Sequence, residues 1–235
     1  MILTYPTRSA WLYSAIARAG IIAIPLALIS AETPAAALDE CGDRPTPPLC
    51  VFDDAPVQVG PAHIHLPGHA HPYAQLLAPL QFTDPSGTVW TAPPAILTDG
   101  ASIPPIFVPL IGAPRSREFL AAAALHDAYC GRANEGLAVF RARGWEETHR
   151  MFYDALRAAG VPPMRAKIMF AAVYLGGPRW DDPARSLQGV PESELRAEMA
   201  RCIRFIEETD PSLSEIETWM REREAILLGV GSNVD

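Results

Sequence analysis

The chain has 235 residues, 49% hydrophobic and 20% charged, which is enough for one globular domain with room for an appendage. Its formal net charge of -8 excludes the broad basic surface on which a nucleic-acid partner depends. The 24 prolines cluster outside the helical stretches and predict a loop-rich first half.

In chain order, Arg8 and Arg18 precede an uncharged apolar run from Ala19 to Ala31, and Ala35-Ala36-Ala37 offers an A-x-A cleavage site. Residues 1–37 therefore read as a secretory signal peptide cleaved after Ala37, and the protein as exported, periplasmic or secreted. The apolar run falls short of the roughly 20 residues that a membrane span needs, and an uncleaved anchor is the alternative. In an oxidising compartment an even count of cysteines predicts disulfides, and Cys41, Cys50, Cys130 and Cys202 allow three pairings. The simplest joins Cys41 to Cys50 across a Pro-rich loop and Cys130 to Cys202 across two helices. Free buried thiols at Cys130 and Cys202 are the alternative.

Residues 38–72 form a Pro/His-rich leader. Its H-x-H-x-x-x-H-x-H run comprises His63, His65, His69 and His71. In a strand, His63 and His65 share a face, which makes them a secondary candidate pair for zinc, copper or nickel. Pro67, Gly68 and Pro72 favour a solvated loop instead. Residues 74–90 predict a hairpin around the turn Asp84-Pro85-Ser86-Gly87.

Three core helices are predicted next: Arg117 to Tyr129, ended by Gly131; Trp145 to Ala159, with His149 inside its apolar stripe; and Met164 to Leu175. Two charged amphipathic helices follow, Glu192 to Glu208 and Ser212 to Leu228, separated by Asp210-Pro211. Cys202, Phe205, Ile206 and Trp219 are expected to pack this addition, residues 181–235, across the core. The predicted fold class is α+β: a small β-hairpin region, a mainly helical core of three helices, and two extra C-terminal helices.

The chemistry concentrates between Thr98 and Cys130. A turn, Thr98-Asp99-Gly100-Ala101-Ser102, precedes a helix that ends in His126-Asp127-Ala128-Tyr129. Asp99, Asp127 and the carbonyls around Gly100 supply oxygen ligands of the kind calcium takes. His126 would be free to deprotonate a water beside the cation, with His149 as its neighbour on the facing helix. Each residue also has a structural role open to it: Asp99 in capping the turn, His126 as a satisfied core histidine.

Residues 73–180 resemble the uncharacterised, phage-associated domain of unknown function 1353. The likeness rests on Tyr73 to Phe82, Thr98 to Pro104, His126-Asp127-Ala128-Tyr129, Ala155 to Val161 and Val173 to Trp180. A second likeness, to secreted bacterial and fungal phospholipases A2, rests on Asp99-Gly100-Ala101-Ser102-Ile103-Pro104, His126-Asp127-Ala128-Tyr129 and His149 to Leu156. It implies His126 as general base, Asp99 and Asp127 as calcium ligands, and position 149 as the partner that orients the base. His149 stands where that family has an aspartate, and Ala101 and Leu125 where it has cysteines. Imidazole at 149 also admits zinc or another transition metal between His126, His149 and an aspartate. The expected function is a metal-assisted hydrolase acting on a lipid or cell-envelope ester; the alternative is a non-catalytic, phage-derived envelope or interaction module.

Overall fold

The computed structural model describes residues 40–42, 47–53, 56–69, 71–100, 103–108 and 117–229. Residues 1–37, expected to be a signal peptide, and Ala101-Ser102 of the turn lie outside the described residues.

The β part is small and antiparallel. Strand β1 (Val51–Phe52) pairs with β3 (Leu80–Thr83), and β3 pairs with β4 (Val89–Ala92), with Phe82 opposite Trp90. Alternation puts Leu80, Phe82, Trp90 and Ala92 inward, each at most 1% exposed. The hairpin turn is held by the carboxylate of Asp84. Its Oδ1 accepts from Ser86 N, Ser86 Oγ and Thr88 N, while Oδ2 accepts from Trp90 Nε1 at 2.9 Å. The largest side chain of the sheet is thus oriented by the turn residue itself, and Gly87 supplies the positive φ of 85° that the turn needs.

A second pair joins β2 (Ala74–Gln75) to β5 (Leu97–Thr98), antiparallel. Among the described residues, the Pro/His-rich leader contributes single bridges here, Val59 to Leu76 and Ile64 to Tyr73. Prolines and the Gly68 turn leave too few consecutive donors there for a longer ladder.

Five helices follow: α1 (Leu120–Cys130), α2 (Trp145–Ala158), α3 (Pro163–Gly176), α4 (Glu192–Thr209) and α5 (Leu213–Leu227). A 3-10 turn, Arg117–Phe119, leads into α1. Helix α1 is buried on every side from Ala122 to Cys130, as its run of alanines permits. It packs on α2, α2 on α3, and α3 on both α4 and α5. Helix α3 starts with Pro163 in its first turn, and α5 with a capping box between Ser212 and Glu215. Among the described residues, no helix is long and apolar enough to cross a membrane.

The C-terminal pair docks through Met199, Cys202, Ile206 and Ile216, all at 0% exposure, with Phe205 and Trp219 stacked 5.4 Å apart at its edge. An ion cluster with a buried Arg179–Glu224 pair at its centre, invisible in the sequence, adds a second attachment. Glu224 on α5 pairs with Arg179 at 2.7 Å and with Arg185 Nε at 2.6 Å, and Arg185 also reaches Glu146 on α2. Arg179 lies over the Trp145 ring. Breaking one partner of such a cluster leaves a buried charge uncompensated.

Cys41 and Cys50 form the expected disulfide. The pairing of Cys130 with Cys202 is corrected: both are free and buried. Cys130 ends α1, which packs on α2, whereas Cys202 lies on α4, which packs on α3. The Cys130 thiol instead donates to the His126 carbonyl one turn back, at 3.3 Å.

In the disulfide-closed leader, Cys41 N donates to Asp154 Oδ1 of α2 at 2.8 Å, and Glu40 bonds to the neighbouring Tyr153. Burial pushes the Asp154 carboxyl up to about 7, against the pull of that donor. A raised carboxyl pKa favours the fold while it is protonated. Its contribution is fully present below pH 4 and disappears as pH rises through 7. Urea denaturation should therefore show wild type losing stability relative to Asp154→Asn as pH rises from 4 to 7, on the order of 1 kcal/mol per pH unit. Parallel pH profiles for the two proteins would overturn this reading of Asp154.

Candidate functional site

The loop before α1 and the C-terminal end of α1 meet because one side chain joins them. Asn134, 3% exposed, sits in the 3-10 turn Arg132–Asn134 that follows α1. Its Oδ1 accepts from Leu97 N at 2.8 Å, and its Nδ2 donates to Leu97 O and to Asp127 O, each at 2.8 Å. Asp99 is two residues beyond Leu97 on β5, and Asp127 is itself one of the carbonyl partners. A single carboxamide thus sets the spacing between the two acidic segments. Gly131 N also donates to Asp127 O, and a Cβ at Gly131 would lie 2.7 Å from that oxygen. Glycine ends the helix here by yielding space rather than by a left-handed cap, since its φ is -70°.

Asp99, His126 and Asp127 line one cavity of about 620 Å³. Ile103, Pro104 and Val108 form part of its apolar wall, and Gly176, Gly177 and Pro178 close it from the end of α3. The two glycines are required by close approach. A Cβ at Gly176 would lie 2.8 Å from Phe107 and from Pro104, and one at Gly177 would lie 2.8 Å from His149 Nε2.

His126 is 2% exposed and His149 is fully buried, and the two rings join through His126 Nε2 and His149 Nδ1 at 2.9 Å. Phe152 packs against the His126 ring and Trp145 against the His149 ring. Burial lowers the His126 pKa to about 3. The His149 pKa lies well below the usual range, first through burial, then through the nearby His126 and Arg179. Both imidazoles are therefore neutral at physiological pH.

Proton positions follow from the partners. No hydrogen bond of normal geometry reaches His149 Nε2. In the tautomer that carries its proton on Nε2, His149 Nδ1 accepts from His126 Nε2–H, and His126 Nδ1 keeps a lone pair.

Cys130 Sγ lies 3.5 Å from His126 Nδ1 and 3.4 Å from Nε2. Near-equal distances put the sulfur beside the ring rather than along one lone pair. Burial and then Asp127 hold its thiol pKa well above normal, so the thiolate needed of a nucleophile is disfavoured.

Sequence reasoning missed several cavity residues: Tyr73, His69, His71, Cys130, Arg132 and Gln188. Tyr73 OH and His69 Nδ1 share a hydrogen bond of 2.6 Å. The Tyr73 pKa is raised to about 12, by burial first and then by Asp99 and Asp127, which places both carboxylates within electrostatic reach of one phenol. Of the His-rich run, the distal pair His69 and His71 lines the cavity. His63 and His65 are exposed, as is His71, and the His63 ring bonds the Pro61 carbonyl. The repeated histidines were the available signal for this run, but the fold decides which of them line the cavity. Among the described residues, no three histidine, cysteine or acidic side chains group closely enough to hold a metal ion by themselves. Oxygen ligation by Asp99, Asp127 and the Gly100 region needs backbone carbonyls to complete it.

Residues 74–173 match the model of a family described as "Protein of unknown function (DUF1353)". Two curated relatives from Sinorhizobium fredii (strain NBRC 101917 / NGR234) align with the chain. "Uncharacterized protein y4iH" is 40% identical over 117 residues, which is 50% of this chain and 45% of the relative. "Uncharacterized protein y4jT" is 37% identical over 121 residues, 52% of this chain and 34% of the relative. The chain spans less than half the length of these curated relatives. No solved structure matches. Asp99, His126, Asp127, Asn134 and His149 all fall inside the segment matched by the family model.

Replacing Asn134 by Ala strips Leu97 N and two carbonyls of a buried partner. Asn134→Ala should cost about 2–4 kcal/mol in urea denaturation, whereas Glu135→Ala, at the exposed next position, should change stability by less than ~0.5 kcal/mol. A cost for Asn134→Ala below about 1 kcal/mol would show that β5 and α1 are held together by other contacts.

Proposed function

We propose that this protein is a hydrolase of phospholipase A2 type, acting on a lipid or cell-envelope ester after export. The observation that carries the reading is the joint lining of one cavity by Asp99, Asp127 and His126, with His126 backed by a second imidazole. Asp99, His126 and Asp127, on which the phospholipase likeness rests, meet at one cavity, and this supports the reading.

His126 Nδ1 takes a proton from a water in the cavity, and the water oxygen bonds to the ester carbonyl carbon. The bond from that carbon to the alcohol oxygen then breaks, and the proton passes to the departing alkoxide. His149 keeps the His126 ring in the tautomer with the lone pair on Nδ1. It lacks the charge with which an aspartate would stabilise the imidazolium, so turnover is expected to be slower than with a carboxylate at 149. The donors fit a hard cation: Asp99 and Asp127 offer oxygens, while the His126–His149 pair is occupied with itself. Asp99, Asp127 and the Gly100 carbonyl region would hold such an ion, which when bound supplies polarisation of the ester carbonyl.

The test is hydrolysis of mixed phospholipid vesicles and of short-chain nitrophenyl esters by the purified chain, with calcium and with chelator. Turnover that needs calcium, falls about 100-fold or more in His126→Asn and is lost in Asp99→Asn/Asp127→Asn supports the proposal. Rates equal in wild type and His126→Asn would sink it. No hydrolysis of either substrate would favour the non-catalytic envelope module.

A further inference from the structure

The cavity is sorted by charge. Asp127 is 6% exposed and Asp99 is half-buried, and both contribute to the cavity lining. Arg132 lies on the same lining but is exposed. Among the described residues it is the one arginine or lysine there, and no described carboxylate pairs with it. Other arginines are engaged: Arg141 lies over the Phe140 and Trp180 rings. Arg143, Arg150, Arg179 and Arg185 each hold an acidic partner. An arginine on a cavity wall without such a partner is a free planar fork of donors, suited to a phosphate or carboxylate.

Its position is not left to chance. Arg132 opens the turn that Asn134 clamps, where Asn134 N donates to Gly131 O and Glu135 N to Arg132 O. The Arg132 backbone is therefore tied to the same two segments that carry Asp99 and Asp127. Among the described residues, no other arginine or lysine lines the cavity, and Gln188 adds a neutral polar group. Ile103, Pro104 and Val108 provide an apolar surface alongside.

An anionic amphiphile has one favourable orientation in such a cavity. With no cation bound, its charged group is drawn to Arg132 and repelled from Asp99 and Asp127, while its apolar arm covers the Ile103–Val108 wall. We infer that the ligand of this cavity is an amphiphile with a phosphate or carboxylate group held at the rim by Arg132. This names the substrate class of the proposed hydrolase and rests on that reading for its catalytic meaning, but binding itself can be measured without turnover.

Calorimetric titration of the purified chain with octyl phosphate, octanoate and octanol tests it. Octyl phosphate or octanoate should bind, octanol at least tenfold more weakly, and Arg132→Gln should weaken the anion about tenfold with an unchanged thermal midpoint. Arg132→Lys should recover part of the loss, and more of it for one anion than the other if phosphate and carboxylate are told apart by the fork. Equal affinity for octyl phosphate in wild type and Arg132→Gln, or octanol binding as tightly as the anions, overturns the inference. Hydrolysis failing while Arg132-dependent binding persists overturns only the proposed reaction.

Discussion

The carboxamide of Asn134 is the contact on which the arrangement of this molecule turns. Loops can satisfy their backbone groups with water, but the β5 segment and the end of α1 meet away from solvent. There, Leu97 N, Leu97 O and Asp127 O must find partners in the protein. One asparagine offers an acceptor and two donors in a fixed plane and meets all three. Without it the acidic turn and the His126–Asp127 pair would be separate local features. With it they share one cavity, and the turn that bears Arg132 is fixed by the same bonds.

Behind the cavity, electrostatics are arranged in shells of opposite character. The imidazole pair is neutral and enclosed by Phe152, Trp145 and the Gly177–Pro178 backbone. Farther out, Arg179, Arg185, Glu146 and Glu224 form an ion cluster that ties α5 to the core. Arg179 belongs to both layers, because its charge helps to keep His149 unprotonated while its own charge is balanced by Glu224. The C-terminal helices therefore bear on the site through a charge, although no residue of theirs lines the cavity.

Much of the architecture was legible in the sequence. Helix limits followed from Gly131, Gly160, Pro162-Pro163 and Asp210-Pro211, because terminators act locally. The hairpin followed from its turn residues for the same reason. The proximity of His149 to His126 was readable from the apolar stripe of α2, since the only inward position for 149 faces α1. What was not legible depended on long-range contact. Asn134 looked like an ordinary residue of an exposed connection, and Cys130 and Cys202 looked like a pair because sequence shows parity but not distance. His69 and His71 could not be told from His63 and His65, since which pair lines the cavity depends on where the Ile64–Tyr73 bridge forms.

The alanines of α1 have a further consequence. Ala122, Ala123, Ala124 and Ala128 are buried at 0% exposure, so the helix that carries His126 and Asp127 has neighbours against every side. Adding even one or two carbons at these positions forces displacement, at about 1–3 kcal/mol each. This helix is closed to gradual retuning. New chemistry can be explored only from outside it: across at position 149, along the turn at Arg132, or in the segment that holds Tyr73. The protein thus keeps His126 and Asp127 on a tightly packed axis and leaves diversification to the surfaces around that axis.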